Sequence, residues 1–116
     1  MAMLAQMVED VVVSKFELED DVTIVGRITD CAITINDSSV STNHAKITRR
    51  PNPDFPESIE YYISDMGSTN GTEVNGAAVT SEVLLRHEDE VKFALNTFVF
   101  LDEKGRDFEK TVHLLK

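Results

Sequence analysis

The chain has 116 residues, 41% of them hydrophobic, and a formal net charge of −10. That length suits one domain able to bury a core without disulfide or metal staples. The acidity argues against nucleic acid or an anionic membrane surface as partner, since both need a basic face, and no apolar run approaches the ~20 residues of a membrane span.

The opening stretch from Met1 turns acidic at Glu9 and Asp10 and lacks the basic start and apolar run of a signal peptide. A soluble, intracellular (cytoplasmic) chain is therefore expected. Val11 and Val13, with Phe16 and Leu18, suit an early strand. The apolar run Val22, Ile24, Val25 makes another and ends at Gly26-Arg27. Cys31, the one cysteine, has no internal partner and fits a reducing compartment. A half-buried strand position is expected for it. Ile33 and Ile35 then flank Thr34.

Ser41-Thr42-Asn43-His44 leads into the alternating pair Ala45 and Ile47. Residues 1–40 hold Lys15 and Arg27 against eight acids, whereas residues 41–50 hold Lys46, Arg49 and Arg50 and no acid. A locally positive site on an acidic body is expected there. All three prolines fall between Pro51 and Ser58, so that stretch breaks the ladder as a surface loop. It joins strands carrying opposite sides of the candidate site, which makes it a candidate for specificity.

Ile59, Tyr61 and Ile63 alternate with Tyr62 and Ser64 as a strand does. From Asp65 to Gly76 the chain packs turn residues and hydroxyls together: Gly67-Ser68-Thr69-Asn70-Gly71-Thr72, then Asn75-Gly76. Gly and Asn tolerate left-handed angles, so the chain turns sharply here. Hydroxyls and free backbone N–H groups can then converge on an anion or an extended peptide. Strand-like sequence on both sides places this loop at a sheet edge. Asn75-Gly76 reads as a turn, and Glu88-Asp89-Glu90 as an acidic one. Val91, Phe93 and Leu95 alternate with Lys92, Ala94 and Asn96, and Phe98 and Phe100 continue the pattern. Many short strands separated by turns indicate an all-β sandwich. Beyond Asp102, Phe108, Val112 and Leu115 recur at helical spacing, which fits a short amphipathic helix, although Thr111, Val112 and His113 would also suit a strand.

Taken in order, Gly26-Arg27, Ser41-x-x-His44 and Gly67-Ser68-Thr69-Asn70-Gly71 resemble the forkhead-associated (FHA) domain family. The resemblance runs from the first strand to Leu101 and implies an FHA domain over residues 3–101, with 102–116 as a C-terminal extension. It implies an eleven-stranded β-sandwich with binding loops at one end. It also implies a non-enzymatic module that binds phosphothreonine peptides within larger signalling proteins, with no cofactor. On the matching positions it assigns phosphate contacts to Arg27, Ser41 and Thr69, and gives Asn70 the main chain of the bound peptide. Gly26, His44, Gly67, Ser68 and Gly71 shape the loops. Thr42 stands where relatives often have Arg or Asn; its hydroxyl and N–H still reach phosphate, but a positive charge is missing. That departure, with the acidity of the body, motivates an alternative: a scaffold of the same fold that binds partners without phosphate. The residues add chemical reasons. A guanidinium presents a planar fork of donors to phosphate, and an Asn amide both donates and accepts toward an extended strand.

Other chemistries find no support. Ser41, His44 and Asp65 lack the nucleophile elbow and oxyanion arrangement of a triad. No Gly-Lys-Ser/Thr follows the glycine-rich loop. His44, His87, His113 and Cys31 lack metal-ligand spacing.

Overall fold

The computed structural model describes residues 2–102. Alternating apolar residues fold into eleven strands: β1 (Ala2–Val8), β2 (Val11–Glu17), β3 (Val22–Gly26), β4 (Ile33–Thr34), β5 (Ala45–Pro51), β6 (Ile59–Asp65), β7 (Thr72–Val74), β8 (Ala77–Ala78), β9 (Val83–Leu85), β10 (Glu90–Phe93) and β11 (Asn96–Asp102). They form a six-stranded sheet in the order β2-β1-β11-β10-β7-β8 and a five-stranded sheet in the order β4-β3-β5-β6-β9. The described residues form the expected sandwich of eleven strands.

The period-two pattern decides what each face touches. Leu4, Val91, Phe98 and Phe100 point inward from one sheet, and Val25, Ile47, Ile63 and Leu85 from the other; all are buried. Tyr61 of β6 meets Phe100 of β11 with ring centroids 5.4 Å apart, and Phe93 meets Phe98 at 5.3 Å. Rings at this spacing contribute beyond the area they bury.

Registers place the loops. Val25 pairs with Ala45, Ala45 with Asp65, and Phe93 with Thr72. The segments after Gly26, before Ala45, after Asp65 and after Phe93 therefore share one end of the sandwich.

The early strand expected at Val11 is β2. β1 precedes it without a clear sequence signal, because its pattern is mixed, with Leu4 and Ala5 adjacent and both buried, and a register shift near Gln6 and Met7. Three expectations need correction. The β10 alternation stops at Phe93, and Ala94-Leu95 is a tight turn with Leu95 79% exposed. Cys31 is buried in the loop between β3 and β4, not half-buried in a strand. The segment 66–71 is not a sheet-edge loop; it crosses from β6 in one sheet to β7 in the other. The acidic turn before Val91 and the turn at Asn75-Gly76 are present as expected. The extension with Phe108, Val112 and Leu115, expected as a short helix, lies outside the described residues. Among the described residues, no helix is long and apolar enough to cross a membrane.

Candidate functional site

At the loop end, Arg27, Ser41, Thr42, Asn43, Thr69 and Asn70 line an open depression of about 520 Å³, together with Met66 and residues 38–40. The fold thus brings together all five residues the sequence offered for ligand contact, from three separate loops.

Arg27 follows the last residue of β3, and its N–H donates to the Ser41 carbonyl at 3.1 Å. This bond fixes where the side chain leaves the backbone. The side chain is exposed, and no ion pair or side-chain hydrogen bond engages its guanidinium among the described residues. Arg49 and Arg50 behave differently. The register carries them toward the far end of β5, where Arg49 lies 3.4 Å from Asp21 and Arg50 pairs with Glu82 and covers the Tyr62 ring. The segment 41–50 thus gives the depression its polar Ser41–Asn43 end but not its arginines; Arg27 is the cation lining the depression.

The Pro51–Ser58 loop is displaced too. Ala45 pairs with Asp65 and Pro51 with Ile59, so six strand steps, roughly 20 Å at 3.3 Å each, separate that loop from the depression. It is not positioned to read a ligand there.

Gly26 has a steric reason. A Cβ on it would overlap the Thr42 carbonyl oxygen and lie 2.8 Å from the Cys31 sulfur. The 41–43 loop packs directly on this backbone, and only glycine leaves room. Cys31 fills the space beneath, with its thiol 3.4 Å from the Thr42 carbonyl oxygen. Burial pushes the thiol's pKa up and opposes the thiolate, which fits a packing role.

His44 joins the loops. It is fully buried, and its Nδ1 accepts the Ser41 N–H at 3.1 Å while Nε2 lies 2.8 Å from the Gly71 carbonyl oxygen. Those partners require the proton on Nε2 and none on Nδ1. The ring also stands edge-on to Phe93, 5.9 Å between centroids. Its main chain donates to Val25 and accepts from Met66. Buried and fully bonded, His44 has no geometry for general base work on a ligand.

Asp65 organises the other loop. One carboxylate oxygen accepts the N–H groups of Gly67 and Ser68, and the other accepts the hydroxyls of Ser68 at 2.5 Å and Thr72 at 2.7 Å. Burial raises its pKa, but these bonds together outweigh burial and hold the carboxyl below its ordinary value. Ser68 Oγ also accepts the Gly71 N–H, and Gly71 turns with φ of 87°, an angle that costs other residues strain.

Two bonds link the loops over the depression. The Thr69 N–H donates to Ser41 Oγ at 3.0 Å, and Asn70 Nδ2 donates to the Ser39 carbonyl at 2.6 Å. Sequence reasoning missed Ser39 and Met66. Ser39 acts through its backbone, which carries no residue signature. Met66, 42% exposed, sits beside a glycine run that drew attention elsewhere. Among the described residues, no cluster of His, Cys, Asp and Glu could hold a metal ion.

Comparison with known proteins agrees with this fold. A family model described as the FHA domain matches residues 23–94. The glycogen accumulation regulator GarA of Mycobacterium tuberculosis is 38% identical over 96 residues, covering 81% of this chain and 54% of that protein. The FHA domain-containing protein FhaB of the same organism is 33% identical over 70 residues, covering 60% of this chain and 41% of that protein. The chain thus spans about half the length of these curated relatives. A solved structure from a study of phosphothreonine-dependent FHA domain interactions superposes with a TM-score of 0.71 at 26% identity, covering 87% of this chain and 95% of that one.

Proposed function

The chain belongs to the FHA domain family, and from that premise we propose that it binds phosphothreonine-containing segments of partner proteins through the depression at its loop end. FHA domains are non-enzymatic interaction modules, and we extend this to the present chain as an adaptor that catalyses nothing. The domain proper takes residues 3–101, and the working compartment is the cytoplasm.

The observation that carries this reading is the Arg27 guanidinium, exposed and unpaired among the described residues, beside Ser41 and Thr69. A threonine phosphate brings nearly two negative charges and several acceptor oxygens. Arg27 supplies the charge and a donor fork; the Ser41, Thr42 and Thr69 hydroxyls and nearby N–H groups supply further donors. Asn70 aligns the main chain of the ligand. Gly26, His44, Gly67, Ser68 and Gly71 keep these groups in place. Charge-assisted bonds contribute about 1.5–3 kcal/mol each. Several of them, less the cost of ordering a peptide, give a reversible affinity of roughly micromolar strength.

One observation favours a second reading, a scaffold that needs no phosphate. Val11, Val12 and Val13 are all exposed on β2, the edge of the six-stranded sheet, and such an edge can pair with another strand.

A fluorescence-polarisation titration separates the two. The probes are degenerate phosphothreonine peptides with their unphosphorylated and phosphoserine counterparts, run against wild type and Arg27→Ala. Saturable binding that needs both phosphothreonine and Arg27 supports the first reading. Partner capture indifferent to phosphate, and lost on Val12→Lys, supports the second.

A further inference from the structure

We propose that Leu95 is a ligand contact: an apolar anchor at the binding end that seats an apolar side chain flanking the partner's phosphothreonine. The proposal rests on the phosphothreonine reading above. Three tight hairpin turns among the described residues allow a comparison. Asn75-Gly76 joins β7 to β8 with φ of 52° and 85°, and uses the residue pair that left-handed angles favour. Glu9-Asp10 joins β1 to β2, also left-handed, but both side chains are charged and hydrated.

Ala94-Leu95 breaks both rules. Ala94 takes φ of 58°, where Gly or Asn relieves strain. Leu95 is 79% exposed, more than any other large hydrophobic residue described. A turn that joins a left-handed alanine to the most exposed large hydrophobic residue described departs from turn chemistry, and such departures concentrate at functional or strained positions.

Its location supplies the function. The Ala94 N–H donates to the Gly71 carbonyl at 3.0 Å, next to Asn70. Asn96 Nδ2 donates to one oxygen of Asp37 at 3.0 Å, and the other oxygen accepts the Ser39 N–H at 2.9 Å. The turn is therefore bonded to both segments that meet in the Asn70–Ser39 bond at the edge of the depression. Leu95 is presented on a braced backbone just outside the polar site. An extended ligand aligned by Asn70 passes it. A leucine side chain gains only by covering apolar surface, and an acidic flank would meet the repulsion of a body at net −10.

The test compares wild type, Leu95→Ser and Arg27→Ala against two phosphothreonine peptide pools. Flanking positions are drawn from Leu, Ile, Val and Phe in one pool and from Gly and Ser in the other. Wild type should prefer the apolar pool by about tenfold. Leu95→Ser should lose that preference, keep its affinity for the Gly/Ser pool, and keep its thermal midpoint. An unchanged preference in folded Leu95→Ser overturns the proposal and leaves the phosphothreonine reading standing. Wild type that binds neither pool overturns both. A concentration-dependent dimer of the free chain that Leu95→Ser abolishes assigns Leu95 to self-association and overturns the ligand role.

Discussion

His44 Nε2 lies 2.8 Å from the Gly71 carbonyl oxygen, and this bond ties the loop before β5 to the loop before β7. The same ring accepts the Ser41 N–H at 3.1 Å. Replacing His44 with Ala would empty a fully buried site and leave the Ser41 N–H without its acceptor, while the Gly71 carbonyl would keep only the Ala94 N–H. His44→Ala should lose about 2–4 kcal/mol of stability, read as a lower urea midpoint at an unchanged slope.

Gly26→Ala tests the close approach beneath the 41–43 loop. The new methyl must displace the Thr42 carbonyl, which carries Ser41 with it. We expect a loss of about 1–3 kcal/mol, together with weaker phosphopeptide binding. Cys31→Ala opens part of that space, so the double variant should recover some stability. Chemical denaturation of the four chains gives the coupling directly.

The Asp65 cluster predicts a particular response to acid. Its folded carboxyl titrates below the ordinary value, so the native state favours the charged form. That contribution is complete above about pH 4, near the unfolded value, and is lost as pH falls through the folded value. Asp37, held low by the Ser39 N–H and then by Asn96, acts in the same direction. Asp65→Asn should be less stable than wild type at pH 7, and the gap should narrow as pH falls below 4. Thermal unfolding across pH 2–7 measures it.

Ligand ionisation gives a separate signature. The second phosphate pKa is near 6, so affinity should fall as pH drops below that value. Arg27→Lys keeps the charge but not the fork, and should bind more weakly than wild type while showing the same pH profile. Isothermal titration at pH 7.5, 6 and 5 checks both statements.

Most strands were legible because one face of each is buried and alternation records that. β3, β6 and β11 read directly from Val25, Tyr61 with Ile63, and Phe98 with Phe100. β1 escaped because Ala2, Leu4 and Ala5 are all buried, which erases the period. Residue types also pointed to the residues that line the depression, since glycine, hydroxyl and guanidinium groups carry their chemistry visibly. Register did not read out. Whether Arg49, Arg50 and the proline loop fall near Arg27 depends on which residues pair across β5 and β6, and no residue type reveals that. Backbone contacts such as the Ser39 carbonyl under Asn70 were silent for the same reason, and Leu95 looked like a strand residue because Ala-Leu is not turn chemistry.

The bonds that shape the depression bridge long stretches of chain: 27 positions from His44 to Gly71, 31 from Ser39 to Asn70, and 59 from Asp37 to Asn96. No short excerpt of the sequence contains a working half of it. Such distant pairings are slow to close, so binding competence should appear only in the last kinetic phase of refolding. A fluorescent phosphopeptide would then serve as a stopwatch for native assembly, because it binds after both sheets have met and not before.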